Sequence, residues 1–334
     1  MDSLTQIVLG AAVGEAVLGR KVGNKAVLWG AIAGTIPDLD VVFSLFYDKV
    51  TANELHRGFS HSIVFCLLVA PILGGLVFRL YKKKWASFKG WTLLFFLSLV
   101  THPLLDAHTT WGTQLLWPLP VKLSYKNIFV IDPLYTLPFL VFLVAAMCYK
   151  RESSKRKRLN LIGLCVSSSY MVLTLFAKAY TYTIFKNSLD NQYIAYTEIQ
   201  TKPTPLNAVL WTANVATENS YLIGYYSFFD SSKHVDFAEF PKNRHLLGAW
   251  KNAPVVKRLQ QMSQGWYTIS QKEGILYFND LRFGLMGVSL SDDRFVFSYE
   301  LFEEGGKLQA KEREKRPADV KPLLQNLWTR ILGL

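Results

Sequence analysis

The sequence predicts an α-helical polytopic membrane domain of about six helices, followed by a β-rich α+β soluble domain. Three observations carry this. Long apolar runs fill the chain up to about Tyr182 and then stop. Basic residues gather in short clusters between those runs. Beyond residue 184, β-branched and aromatic runs alternate with turn residues, the pattern of strands. The boundary divides the 334 residues into 1–183 and 184–334, each of ordinary domain size.

A membrane-spanning helix needs about 20 mostly apolar residues. The candidates are 4–19, 26–46, 62–81, 91–106, 133–149 and 159–181. The first and fourth are short and carry polar residues. Pro37 and Pro103 interrupt the second and fourth, beside chemically interesting side chains. The N-terminal stretch has an acid at Asp2, a charge at Glu15 and no basic leader, so it reads as a retained first span, not a signal peptide.

The net charge is +12. Such an excess can mark a nucleic-acid binder, but its distribution argues otherwise. Arg20, Lys21 and Lys25 follow the first span; Arg79, Lys82, Lys83, Lys84 and Lys89 the third; Lys150, Arg151, Lys155, Arg156, Lys157 and Arg158 the fifth. The intervening loops hold Lys49, Arg57, Lys122 and Lys126. The positive-inside rule puts the richer loops in the cytoplasm, and the N-terminus and all of 184–334 outside it. Nucleic acid is not an expected partner; membrane lipid is.

In the second half, 193–201, 207–217 and 220–230 read as strands, as do 265–270, 274–280 and 294–304. Helices are expected near 253–264 and over 317–334, the latter packed on the domain or lying on a membrane surface. The tract 307–316 reads as a solvated charged segment. Cys66, Cys148 and Cys165 all fall in apolar runs, which argues against a disulfide framework or a thiol nucleophile.

The histidines carry the chemistry. Only six occur, and His56, His61, His102 and His108 lie in the apolar half with Asp38, Asp40, Asp106 and Asp132. Each ionisable side chain at the centre of a spanning helix costs roughly 2.5–3.5 kcal/mol. The loop charges place all eight near one outer membrane face, so a joint use is expected, and a metal is the obvious one. His102 and Asp106 are four apart, on one helical face unless Pro103 prevents it. His56 and His61 are five apart, which suits a loop folding back at Gly58, with Ser60 capping the next helix. Asp38 and Asp40 repel each other unless a cation lies between them.

The metal ligands expected are Asp38, Asp40, His56, His61, His102 and Asp106, holding one or two divalent ions. Imidazole with carboxylate suits zinc first, with manganese and iron as alternatives. His108 or Asp132 is the expected general base, and Arg57 the expected grip on an anionic group. Glu15 reads equally as a support for the site or as a buried acid. Trp111 and Trp117 read as interfacial anchors, His234 and His245 as structural.

The stretches 1–16, Pro37–Asp40, His56–Ser62 and His102–Pro118 resemble the bacterial membrane-bound metal-dependent hydrolase family, which includes LexA-regulated inner-membrane proteins. The resemblance covers roughly residues 1–150 and implies a multi-pass protein of the bacterial cytoplasmic (inner) membrane. More remotely, the order Asp, His, HxxxD is similar to the zinc-dependent phospholipase C and P1-type nuclease superfamily. That pattern has more histidines and a second HxxxD, which this chain lacks. The expectation is a hydrolase that uses a metal-activated water on a lipid or envelope-derived ester or phosphoester. The alternatives are a metal-stabilised envelope scaffold or sensor and an ion-coupled transporter.

Overall fold

A computed structural model describes residues 1–47, 51, 56–82, 84–313 and 320–334. Lys49, Lys83 and the part of the charged tract and last helix between 314 and 319 lie outside them. The chain divides into two compact units, one made mainly of residues 1–176 and the other mainly of residues from 177 onward.

The first unit is helical. Helix α1 (Ser3–Val22) starts at Asp2, whose carboxylate accepts the Thr5 N–H, and ends at Gly23, which adopts a left-handed φ of 63°. Helix α2 (Asn24–Thr35) folds back against it. Gly10 and Gly14 of α1 face Gly30 and Gly34 of α2 so closely that a Cβ on Gly10, Gly14 or Gly30 would collide with backbone of the partner helix. Small residues four apart on both helices permit this approach.

Helix α2 ends where Pro37, which has no N–H, interrupts the helical hydrogen-bond ladder; Ile36 before it keeps helical angles of φ −58° and ψ −43°. The chain continues as a 3-10 helix, Pro37–Leu45. A second 3-10 turn, Phe59–His61, leads into α3 (Ile63–Leu80), capped by Ser62 rather than by Ser60. Helix α4 (Phe88–Asp106) runs through Pro103 unbroken. Helix α5 (Pro133–Met147) is capped by Asp132, and α6 (Ser154–Asn191) is 38 residues long.

Among the described residues, three helices are long and apolar enough to cross a membrane: α3, α4 and α6. This is fewer than the six spans expected. Helix α5 is apolar but has only 15 residues. The 12 residues of α2 rise about 18 Å, short of the roughly 30 Å hydrocarbon core. Helix α1 is long enough, but Gln6, Glu15, Arg20 and Lys21 dilute its hydropathy.

The second unit contains two antiparallel meanders of four strands. The first comprises β1 (Glu198–Pro203), β2 (Leu210–Ala216), β3 (Ser220–Ser227) and β4 (Phe237–Pro241), in that order. A 3-10 stretch (Arg244–Asn252) and α7 (Pro254–Met262) follow. The second comprises β5 (Tyr267–Lys272), β6 (Ile275–Leu285), β7 (Phe295–Glu304) and β8 (Lys307–Glu312). Helix α8 (Val320–Ile331) ends the chain's regular structure.

Strands β2 and β3 are buried along their whole length because both sheet faces are covered. Trp211, Ala213 and Val215 pack on Ile184, Phe185 and Leu189 of α6. Leu210, Ala216 and Ile223 pack on Trp266, Leu281 and Phe295, with Leu327 and Ile331 of α8. Helix α8 therefore packs on the domain. The charged tract at 307 forms strand β8 instead of a solvated loop; its charges line a sheet edge, where they oppose pairing with another chain.

Candidate metal centre

The centre is assembled from three segments of the first unit. The 3-10 helix after α2 supplies Asp38 and Asp40; the turn before α3 supplies His61, with His56 and Arg57 just upstream; α4 supplies His102 and Asp106. Pro103 does not separate the last pair: both are buried, and His102 Nε2 lies 3.5 Å from Asp106 Oδ2.

Four donor atoms converge. His61 Nε2 and His102 Nε2 are 3.2 Å apart. Asp38 Oδ1 is 3.3 Å from the first and 3.4 Å from the second. Asp106 Oδ2 is 3.4 Å from His61 Nε2. A tetrahedral zinc with bonds of about 2.0–2.1 Å holds its ligand atoms about 3.3–3.4 Å apart. Five of the six donor–donor distances, from 3.2 to 3.5 Å, thus match a tetrahedral metal site, and the donor types suit one.

Every donor but Asp38 is fixed from behind. His102 Nδ1 is 2.6 Å from the Gly34 carbonyl, which holds the proton on Nδ1 and leaves the Nε2 lone pair directed at the centre. The Gly–Gly contact of α1 and α2 is what positions that carbonyl. His61 Nδ1 lies 3.0 Å from Ser60 Oγ and 3.3 Å from Asp40 Oδ2. Asp38 and Asp40 therefore address opposite nitrogens of one ring. Asp106 Oδ1 accepts from Gln6 Nε2 at 3.1 Å and from the Met1 amino group.

Asp106 Oδ2 is different. It is buried and has no hydrogen-bond partner among the described residues. Arg57 Nε lies 3.1 Å away as an ion-pair contact but is not aligned to donate to it, and has no hydrogen-bond partner of its own among the described residues. A buried carboxylate oxygen that faces two imidazole lone pairs fits a cation ligand.

The electrostatics agree. Burial works against a charge on His61, but the carboxylates of Asp106, Asp38 and Asp40 close to its ring outweigh it and raise its pKa to about 9. The surrounding acids therefore demand a positive charge at this position, which a proton or a metal can supply.

Asp40 and His56 form the outer edge. His56 Nδ1 is 2.8 Å from Asp40 Oδ1, and the ring is half-buried. Asp40 Oδ2 accepts from the Arg57 N–H and from Ser60 Oγ. With Asp38 these two make a second, more exposed group able to hold a metal. The turn geometry comes from Arg57, which adopts the left-handed φ of 61°, and not from Gly58, whose φ is −91°. That strained backbone directs the Arg57 N–H at Asp40.

Other expected residues lie elsewhere. Asp132 caps α5, accepting from Leu134 N and Tyr135 N, and its other oxygen accepts from the Tyr170 hydroxyl at 2.8 Å. His108 pairs with Asn127 at 2.8 Å and packs on Tyr125. Neither joins the cluster. Arg57 is buried, and its Nη1 donates to Thr109 Oγ1 at 2.8 Å, so its fork braces the centre. Glu15 makes a buried bidentate pair with Arg156 Nε and Nη2, both at 2.6 Å, away from the centre. Trp111 packs edge-on against His56, and Trp117 against Phe59. His234 pairs with Asp236 at the surface, and His245 is exposed.

The supports Gln6, Gly34 and Thr109 were not singled out from the sequence, and Ser60 was expected only as a helix cap. The doubled small-residue spacing at 10, 14, 30 and 34 was the available signal for one of them.

Apolar helices around a buried Asp–His cluster define a membrane protein with a candidate metal centre in its helical region. The chain belongs to the YdjM inner membrane protein family, whose model matches residues 1–181. This membership and the apolar helices place it in the inner membrane. It is 33% identical over 129 residues to the uncharacterized protein YfhP of Bacillus subtilis, covering 36% of this chain and 38% of that protein. It is 37% identical over 107 residues to the inner membrane protein YbcI of Escherichia coli, covering 30% of this chain and 58% of that one. The chain thus matches less than two thirds of either relative. No solved structure matches it. Nothing among these relatives supports the remote resemblance to P1-type nucleases.

Proposed function

We propose that this chain is a multi-pass hydrolase of the inner membrane that holds a divalent metal, zinc first, on Asp38, His61, His102 and Asp106, and cleaves a lipid or envelope-derived ester or phosphoester. The observation that carries the reading is the close convergence of four donors, one of them a buried carboxylate oxygen without a hydrogen-bond partner. A metal in such a site lowers the pKa of a water and polarises a scissile group. With α5 crossing beside α3, α4 and α6, the Lys and Arg asymmetry supports an outward-facing site and a second unit outside the cytoplasm. Exposed Leu39, Val41, Leu45 and Phe46 flank the Asp38–Asp40 segment and favour a substrate with an apolar part. For proton transfer, His56 is better situated than His108 or Asp132: a buried carboxylate orients its ring, and the ring reaches the surface.

One observation favours a second reading. Four protein donors complete a tetrahedron, as in structural zinc sites, and a metal-stabilised scaffold would need no more. The deciding experiment is metal analysis of the purified protein with a turnover screen on phospholipids and phosphodiesters, beside His102→Ala and Asp106→Ala. The hydrolase reading expects bound metal and turnover, both lost in the variants. Metal retained in both variants would remove the site. Metal without turnover on any ester or phosphoester would leave the scaffold.

A further inference from the structure

We propose that Asp38 is an exchangeable ligand, displaced by an anionic oxygen of the incoming molecule, with a phosphoryl group as the best-suited class. The inference rests on the metal site proposed above and resolves its main difficulty, a complete set of four protein donors beside a chemistry that needs an open position.

Three observations set Asp38 apart. Its side chain is 23% exposed, whereas those of His61, His102 and Asp106 are at 0%. It is held least: its recorded partners are His61 and His102, donors of the centre itself. His102 is backed by Gly34, His61 by Ser60 and Asp40, and Asp106 by Gln6. Outer partners of this kind hold ligands in place, and their loss typically weakens metal binding about 10–100-fold. Finally, Asp38 sits on a 3-10 helix that begins at a proline, while His102 and Asp106 sit on a 19-residue α-helix.

Charge selects the newcomer. Asp38, Asp106 and the adjoining Asp40 face a dication together with the buried Arg57 and the Met1 amino group, so the centre has no surplus of negative charge. If Asp38 swings out toward solvent, a neutral donor leaves a net positive charge in a buried site, whereas an anionic oxygen restores the balance. A phosphoryl oxygen meets this need, whether on free phosphate or on a lipid headgroup. The exchange is ligand substitution alone: one metal–oxygen bond breaks as another forms, and no covalent bond of either partner changes.

The test uses the full-length protein loaded with cobalt(II), whose visible absorption reports its ligands. Inorganic phosphate is titrated in one arm, and vesicles of phosphatidic acid in phosphatidylcholine in another. The wild-type spectrum is expected to shift saturably in at least one arm, and which arm responds identifies free phosphate or headgroup as the source. Asp38→Ala and Asp38→Asn are expected to weaken cobalt binding less than about tenfold, against more than about a hundredfold for His102→Ala. Both Asp38 variants are also expected to respond at lower phosphoryl concentration than wild type. Cobalt loss in both as complete as in His102→Ala would overturn the proposal, as would spectra indifferent to both probes. Failure of the wild type to bind cobalt would overturn the metal site itself. A phosphoryl-responsive cobalt site with no turnover would uphold the exchange and sink only the hydrolase reading.

Discussion

Both units bury carboxylates beside arginines, yet they treat them differently. In the sheet unit, Asp280 and Arg282 are buried together, and both carboxylate oxygens are used. Oδ1 accepts the Arg282 N–H at 2.9 Å, and Oδ2 accepts Nη2 at 2.7 Å. Neighbouring Asn279 is likewise engaged by Ser270 and Ser298. In the helical unit, Asp106 and Arg57 are also buried together, but Asp106 Oδ2 and Arg57 Nε find no hydrogen-bond partner. In the sheet pair both carboxylate oxygens are hydrogen-bonded to Arg282, as a structural ion pair requires. The helical pair leaves the Asp106 oxygen beside Arg57 without a hydrogen bond and within 3.5 Å of two imidazole nitrogens. A buried charge indicates a site when its neighbours leave it unsatisfied, and burial alone does not distinguish the two cases.

The largest expected effect lies in the helical unit. Asp106→Ala removes a metal donor and strands Arg57. Metal content measured by elemental analysis should fall to background, and breaking the buried pair should cost about 3–5 kcal/mol in denaturant unfolding. His102→Ala should remove the metal at a smaller cost in stability, because no buried charge is left alone. A sheet variant gives the contrast. Asp280→Ala should destabilise by a similar 3–5 kcal/mol, since Arg282 then loses its partner, but metal content should not change. If Asp280→Ala also releases metal, the division between a closed pair and an open one is wrong.

Much of this division was legible in the sequence. Hydropathy separated the helical half from the strand-rich half, and six strands were expected near their observed places. Strand β4 was missed because Phe237–Pro241 is short and ends in proline, and β8 because its charges resemble a solvated tract. In the centre, the clustering of His and Asp in apolar sequence pointed to the right region. It could not separate Asp132 and His108 from the others, because helix capping and a hydrogen bond to Asn127 are satisfied by partners that spacing does not reveal. Nor could it show that Asp38 and Asp40 address opposite sides of one ring. That follows from the 3-10 geometry after Pro37, which spacing alone left open. The number of spans was overestimated because the apolar run 26–46 continues through Pro37 and joins α2 to the 3-10 helix, α5 has only 15 residues, and polar residues dilute α1.

The contact between α1 and α2 offers a finer test, since neither glycine involved carries any site chemistry. A methyl group on Gly30 would meet the Gly10 carbonyl and press the helices apart. Overpacking of this kind typically costs about 1–3 kcal/mol. Because α2 also presents the Gly34 carbonyl to His102, Gly30→Ala is expected to weaken metal affinity, within the 10–100-fold range typical of lost outer support. Titration with a competing chelator would measure it. Unchanged affinity in a folded Gly30→Ala protein would mean that His102 does not depend on the α1–α2 contact for its orientation.

The smallest effect is expected at Asp132, and it is the sharpest check on how the acids were sorted. Its side chain caps α5 and accepts from Tyr170, so Asp132→Ala should lose the capping contribution of about 1 kcal/mol. Asp132→Asn retains an oxygen acceptor and should lose less. Metal content and any hydrolytic turnover should stay at the wild-type level in both, because the carboxylate stands outside the four-donor cluster. A variant that folds normally, keeps its metal and yet loses turnover would restore Asp132 as a proton-transfer group. It would also show that a carboxylate saturated by cap and tyrosine hydrogen bonds can still act in the chemistry, which is the point on which the contrast between closed and open acids depends.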